Sequence, residues 1–286
     1  MNSVKILCLA LLLWAPAASL GAQSGQLPDP VYLLTPGFSD EPGNRLPPRS
    51  LWPDLTVKKL EHTEKSPDCP DNYLRFTLYY PQGLGHPEVD RLVEKAVTER
   101  FEEDLATMRD NGFCDRDSCG ALSCGAWEDN QAFAVYSPSP GYVSVFLNEN
   151  SFTGGAHGNI NYHSLNFNLQ SGKPLTLTDL FPEPERSVPL YWTYIYKSWC
   201  LHSEYKFPLH SQDFQPCGVE DGSEGGDSYP NAEEIEDLGR LIFTPAGLSL
   251  ILEPYESGSY ASGTAVVDIP LEELVKMGAS LSIWGR

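Results

Sequence analysis

Phe133-Ala134-Val135-Tyr136-Ser137-Pro138-Ser139-Pro140-Gly141-Tyr142-Val143-Ser144-Val145-Phe146-Leu147 sets two short apolar runs on either side of a Ser-Pro-Ser-Pro-Gly breaker. β-branched and aromatic residues fill both runs, and proline and glycine punctuate the gap between them. The pattern predicts strands at Phe133–Tyr136 and Tyr142–Leu147 joined by a turn.

Working toward the N-terminus, Leu74, Phe76 and Leu78 alternate with Arg75, Thr77 and Tyr79. That period predicts a strand over Tyr73–Tyr80, preceded by one over Leu55–Leu60. Between these and the central hairpin, Val89, Leu92, Val93, Ala96, Val97, Phe101, Leu105 and Met108 recur at helical spacing, opened by Pro87 and stopped by Asn111-Gly112. Glu94, Glu99, Glu102, Glu103 and Asp104 read as its solvated face. Toward the C-terminus, Leu165, Phe167 and Leu169 form a strand that Ser171-Gly172-Lys173 turns into Leu175 and Leu177. Tyr191–Leu201 reads as a second, aromatic-rich helix. Leu241–Phe243, Leu248–Leu252 and Ala265–Ile269 read as strands, and Leu271–Val275 as a short helix. Strands outnumber helices and short turns join many of them. The expected class is α+β, with a mostly antiparallel sheet, one long amphipathic helix and one aromatic-rich helix.

The start of the chain points to export. Lys5 precedes an apolar run from Ile6 to Trp14, and small residues crowd Ala15–Ala22. This is the pattern of a secretory signal peptide over residues 1–22, with cleavage between Ser19 and Ala22. The alternative, a buried N-terminal helix, is weaker, and the run is too short for a bilayer span of roughly 20 residues. Cys8 lies inside the apolar run, which argues against a lipid anchor. Residues 23–54 are rich in Pro and Gly without sustained periodicity and read as a flexible leader. No later stretch is apolar enough to cross a membrane. The expected location is periplasmic or secreted.

Six cysteines remain after cleavage: Cys69, Cys114, Cys119, Cys124, Cys200 and Cys217. An even number in an oxidising compartment predicts disulfides, with the pairing open. The five-residue spacing of Cys114, Cys119 and Cys124 fits zinc poorly. The formal net charge is −20, and loss of Lys5 takes it to −21. Such a field repels nucleic acid and anionic membrane and accelerates encounter with cations. About 264 residues remain after cleavage, and their 14 Tyr, 12 Phe and 5 Trp are enough for a real core.

No hydrolase pattern is present: there is no G-x-S-x-G elbow and no H-E-x-x-H. Carboxylates are plentiful, but nothing marks out a glycosidase pair. Asp221–Asp227 loosely resembles a calcium loop, yet Ala232 stands where an EF-hand needs its bidentate Glu. No catalytic residue, cofactor or metal site is expected. Two stretches stand out as contact surfaces. Thr153-Gly154-Gly155-Ala156-His157-Gly158 allows positive φ and close backbone approach, with a histidine held in the turn. Pro254, Tyr255 and Tyr260 lie in a second loop, where tyrosine offers broad contact at little entropic cost. The expected partner-binding residues are therefore Thr153, Gly154, Gly155, His157, Gly158, Pro254, Tyr255 and Tyr260.

Ser151–Gly158, Leu165-Asn166-Phe167-Asn168-Leu169, Gly172-Lys173 and Leu175–Phe181 resemble the extracytoplasmic domain found in the RsiV anti-sigma factor and in the peptidoglycan deacetylase PdaC. Phe243–Leu248, Pro254-Tyr255, Tyr260-Ala261 and Val267–Pro270 resemble the end of that domain. Residues 55–147 resemble the companion PdaC-like N-terminal region more loosely, and 148–286 the RsiV-like C-terminal domain. The resemblance implies a cell-envelope module and, as in the anti-sigma factor, recognition of lysozyme, a cationic protein. Sigma-factor sequestration and deacetylation do not carry over, because no membrane helix and no deacetylase pattern accompany the domain. The expected function is an exported binding module for a cationic protein. The alternative is a peptidoglycan- or glycan-binding protein or a weak cell-wall hydrolase.

Overall fold

The computed structural model describes residues 23–24, 32–34, 52–69, 72–112, 126–154, 157–202, 238–254, 260 and 264–286. The signal-peptide reading at 1–22 and the Asp221–Asp227 stretch lie outside them. Two short strands, β1 (Gln23–Ser24) and β2 (Tyr32–Leu34), fall within the stretch read as a flexible leader. They pair with later strands, so backbone hydrogen bonding holds those two segments against the sheets.

β3 (Thr56–Lys65) and β4 (Tyr73–Gln82) make an antiparallel hairpin with ten paired positions. β3 is an outer strand and carries Lys58, Lys59, Glu61 and Lys65, charges that discourage edge-to-edge association. Cys69, in the connection, is buried and disulfide-bonded. The side chains of the other cysteines lie outside the described residues. Helix α1 (Pro87–Gly112) follows with the bounds its periodicity predicted. It crosses over to β5 (Trp127–Tyr136), which lies parallel to β4 through Leu74–Leu78 and Trp127–Gln131. Beyond β4's reach, Phe133–Val135 pairs with β2 instead.

β5, β6 (Tyr142–Phe152) and β7 (Asn159–Asn168) form an antiparallel meander, and β8 (Lys173–Pro174) pairs with the end of β7. The expected boundary at 147/148 falls inside β6, whose register with β7 is continuous across it. The Ser137–Gly141 turn closes as expected, with the Tyr142 N–H donating to Ser139 O at 3.0 Å. Leu177 does not continue a strand. Thr176 caps a short helix α2 (Leu177–Leu180), accepting from the Asp179 N–H while the Asp179 carboxylate accepts from the Thr176 N–H. This reciprocal capping box overrides the local strand pattern. Helix α3 (Pro184–His202) begins earlier than predicted, with Pro184 in the first turn, where its missing N–H costs nothing. β9 (Leu241–Thr244), β10 (Gly247–Leu252) and β11 (Ala265–Pro270) form a second antiparallel sheet with β1 at its edge. Helix α4 (Leu271–Met277) follows and ends at Gly278 with φ of 86°.

Side-chain alternation stacks these elements in four layers. Phe133 and Val135 on β5, with Val143, Val145 and Leu147 on β6, face Val89, Val93 and Val97 of α1. Their neighbours Ala134, Tyr136 and Phe146 face the second sheet at Ile242, Ile251 and Val266. The far side of that sheet, including Phe243, Leu250 and Val267, packs against α3 and α4 through Tyr191, Ile195 and Leu274. The class is α+β with predominantly antiparallel sheet, as expected.

One reading of α1 needs correction. Glu94, Glu99, Glu102 and Glu103 are exposed, but Asp104 is half-buried against the sheet. Asp104 and Arg100 point toward Asp129 on β5 and Glu149 on β6, and Arg100 Nη2 sits 2.5 Å from Glu149 Oε2. No helix among the described residues is long and apolar enough to cross a membrane.

Candidate functional site

The turn between β6 and β7 is built around glycines with different duties. Gly154 adopts φ of 92°, and a Cβ there would meet nothing within 4 Å. Its backbone faces open space. Gly158 packs tightly: a Cβ would lie 2.8 Å from Ser151 O. The hairpin can close there only without a side chain. Between them His157 is exposed, and its Nδ1 lies 2.9 Å from Gly158 O. A carbonyl only accepts, so Nδ1 carries the hydrogen in this bond. Thr153 is half-exposed beside them, and Gly155 lies outside the described residues.

The loop between β10 and β11 comes to meet this turn. The Tyr260 ring stacks on the His157 ring, with centroids 3.8 Å apart and planes inclined by 16°. Two further contacts fasten the same loop to β7. Glu253 Oε1 accepts from the Tyr162 N–H at 3.0 Å, and the hydroxyls of Tyr162 and Thr264 share a hydrogen bond of 2.5 Å. The Tyr162 ring stacks on Phe146 with centroids 5.4 Å apart, which carries the anchor into the inter-sheet core. Burial raises the Tyr162 hydroxyl above its ordinary pKa, so it stays protonated. Pro254 is half-exposed at the loop's start, while Tyr255 lies outside the described residues.

The structure thus joins His157 and Tyr260, from the two stretches chosen on sequence, at one end of the hairpin. It adds Tyr162, Glu253 and Thr264 as the residues that hold them. Glu253 directly precedes the second stretch. Tyr162 carried no such mark, because Ile160 and Tyr162 fall out of phase with the Leu165 and Phe167 alternation that marked the strand. His163, six residues beyond His157, lines a separate cavity of about 390 Å³ with Leu92, Lys95 and Glu99 of α1.

The architecture has a solved counterpart. A crystal structure of a DUF3298 family protein from Pseudomonas aeruginosa PAO1 superposes with a TM-score of 0.51 at 17% identity, over 82% of this chain and 98% of that one. The chain shares its fold with that protein. Coverage of this extent spans both the N-terminal region and the C-terminal half, so the likeness is to the whole arrangement. A DUF3298 member from Bacteroides fragilis NCTC 9343 gives a TM-score of 0.46 at 17% identity, over 81% and 96% of the two chains. No family model and no curated protein sequence matches the chain.

Proposed function

We propose that the chain is an exported cell-envelope module of the RsiV/PdaC type that recognises a cationic protein, with lysozyme as the first partner to test, through the surface around His157 and Tyr260. The observation that carries this reading is the His157–Tyr260 stack. It makes one contact surface from two turns that sequence reasoning selected separately. Open space over Gly154 leaves room for a partner's backbone beside that surface. Net charge of −20 draws in a basic protein and speeds encounter. The signal-peptide pattern at 1–22, the residue runs at 151–158 and 165–169, and the DUF3298 fold likeness all support an extracytoplasmic module.

The test is a calorimetric titration of the purified protein with lysozyme at low and at moderate salt, with Tyr260→Ala alongside. Binding that survives moderate salt and weakens in the variant supports the proposal. Absence of heat at low salt ends the lysozyme version. Binding that disappears with salt and ignores the substitution reduces it to charge attraction. Retention on insoluble peptidoglycan at high salt, lost in Tyr260→Ala, would assign the same surface to glycan.

A further inference from the structure

Beneath the C-terminal half of α1, the large sheet presents carboxylates on the face where it elsewhere presents methyl and phenyl groups. Asp129 shares the α1-facing side of β5 with Phe133 and Val135, and Glu149 shares that side of β6 with Val145 and Leu147. Asp104 descends from α1 to meet them. Each of the three acids brings a carboxylate oxygen to within 4.8 Å of the others.

The group is polar but incompletely paired. Arg100 Nη2 contacts Glu149 Oε2 at 2.5 Å, and its Nε stands 3.7 Å from Asp104 Oδ2, beyond hydrogen-bond range. Asn161 Nδ2 donates to Glu149 Oε1 at 3.2 Å. Asp129, only 1% exposed, has a buried Oδ1 that meets no hydrogen-bond donor, and Asp104 Oδ2 is buried without one as well. Buried carboxylates are ordinarily hydrogen-bonded, paired with a cation or bound to a metal. With all three acids ionised, the Arg100 guanidinium leaves an excess of two negative charges among these four residues. Asp129 brings a carboxylate oxygen into that excess.

We propose that Asp104, Asp129 and Glu149 bind a hard divalent cation of the calcium class, with Arg100 as the side chain that withdraws when the ion enters. The donor set is all oxygen, which selects calcium, magnesium or manganese over softer metals. Oxygens bound to one ion at calcium's bond length of about 2.3–2.6 Å lie at most about 5.2 Å apart, so separations of 4.8 Å or less are compatible with a single ion. Arg100 and Asp104 are about one-third exposed and form the entrance, while Glu149 and Asp129 form the floor. The ion would brace β5, β6 and α1 together, and β6 runs on from Glu149 into the turn that carries His157. The residues come from three separate elements, which is why their spacing in the chain gave no sign of a ligand set.

Thermal unfolding of the whole protein, stripped with EDTA and then supplied with calcium, magnesium or manganese chloride, is the experiment. Terbium luminescence is measured beside it, with Trp127, two residues from Asp129, as the sensitising donor. Calcium at a hundredfold excess over half-saturation should raise Tm by about 5–10 °C in the wild type. Asp129→Asn, which keeps shape and removes charge, should lose both that rise and the terbium emission. If Asp129→Asn does not fold, Glu149→Gln supplies the same comparison. No rise with any of the three ions overturns the proposal. An equal rise in wild type and variant also overturns it, placing the ion elsewhere on this acidic chain.

Discussion

His157 and Tyr260 lie ring on ring, 3.8 Å between centroids, although they belong to loops that leave different sheets. Neither loop alone presents the surface. Each ring fixes the other, so their contributions to partner binding should be coupled. A double-mutant cycle with His157→Ala and Tyr260→Ala, read by titration against lysozyme, should show a coupling of about 0.5–1.5 kcal/mol. Additive losses would mean that the two rings act separately.

Arg100 holds the acids beneath α1 in balance. Arg100→Ala should destabilise the protein by about 2–3 kcal/mol in urea unfolding without added metal. This lies below the cost of breaking a fully buried pair, because Arg100 keeps about a third of its surface in water. The same substitution should tighten calcium binding if the guanidinium competes with the ion for Glu149.

Burial, then repulsion from Glu149 and Asp104, pushes the Asp129 carboxyl up to about 8, with Arg100 opposing. Burial also raises Asp104 and Glu149. In the unfolded chain an aspartate titrates near about 3.9. The folded state therefore holds more protons between these limits, and its stability falls as pH rises from about 4 toward 8. In EDTA, Tm should decline across that window, and Asp129→Asn should flatten the decline. A Tm that rises with pH through the same window would contradict this assignment.

Two glycines should separate packing from contact. In Gly247→Ala the new Cβ would lie 2.1 Å from Ile269 O, a backbone atom that cannot move aside. A loss of about 3 kcal/mol or more is expected in urea unfolding. Gly154→Ala meets no neighbour but keeps φ of 92°, so a loss of only about 1–2 kcal/mol is expected.

Much of the architecture was legible because its signals were local. The breaker at Ser137–Gly141 and the apolar period of Pro87–Gly112 each act within a few residues, and both elements appear where read. The start of β5 was missed because Glu128, Asp129, Asn130 and Gln131 interrupt the apolar run. Tertiary contacts carry that stretch, including Gln131 Nε2 donating to Tyr79 O at 3.0 Å. Asp104 was placed in solvent because helical periodicity sorts residues by face and does not reveal an acid pocket in the opposing sheet. The two contact stretches were visible as turns. Their meeting was not, because it depends on Tyr162, Glu253 and Thr264 bridging separate sheets.

The single parallel pairing among the described strands, β4 beside β5, has a kinetic consequence. The β3–β4 hairpin and the β5–β7 meander are each closed by neighbours in sequence and can form early. Uniting them requires α1 to dock and the long loop containing it to close, the slow kind of step. α1 is then the clasp whose fastening sets the folding rate. Trimming its apolar stripe at Val93, with Val93→Ala, should slow refolding more than it hastens unfolding.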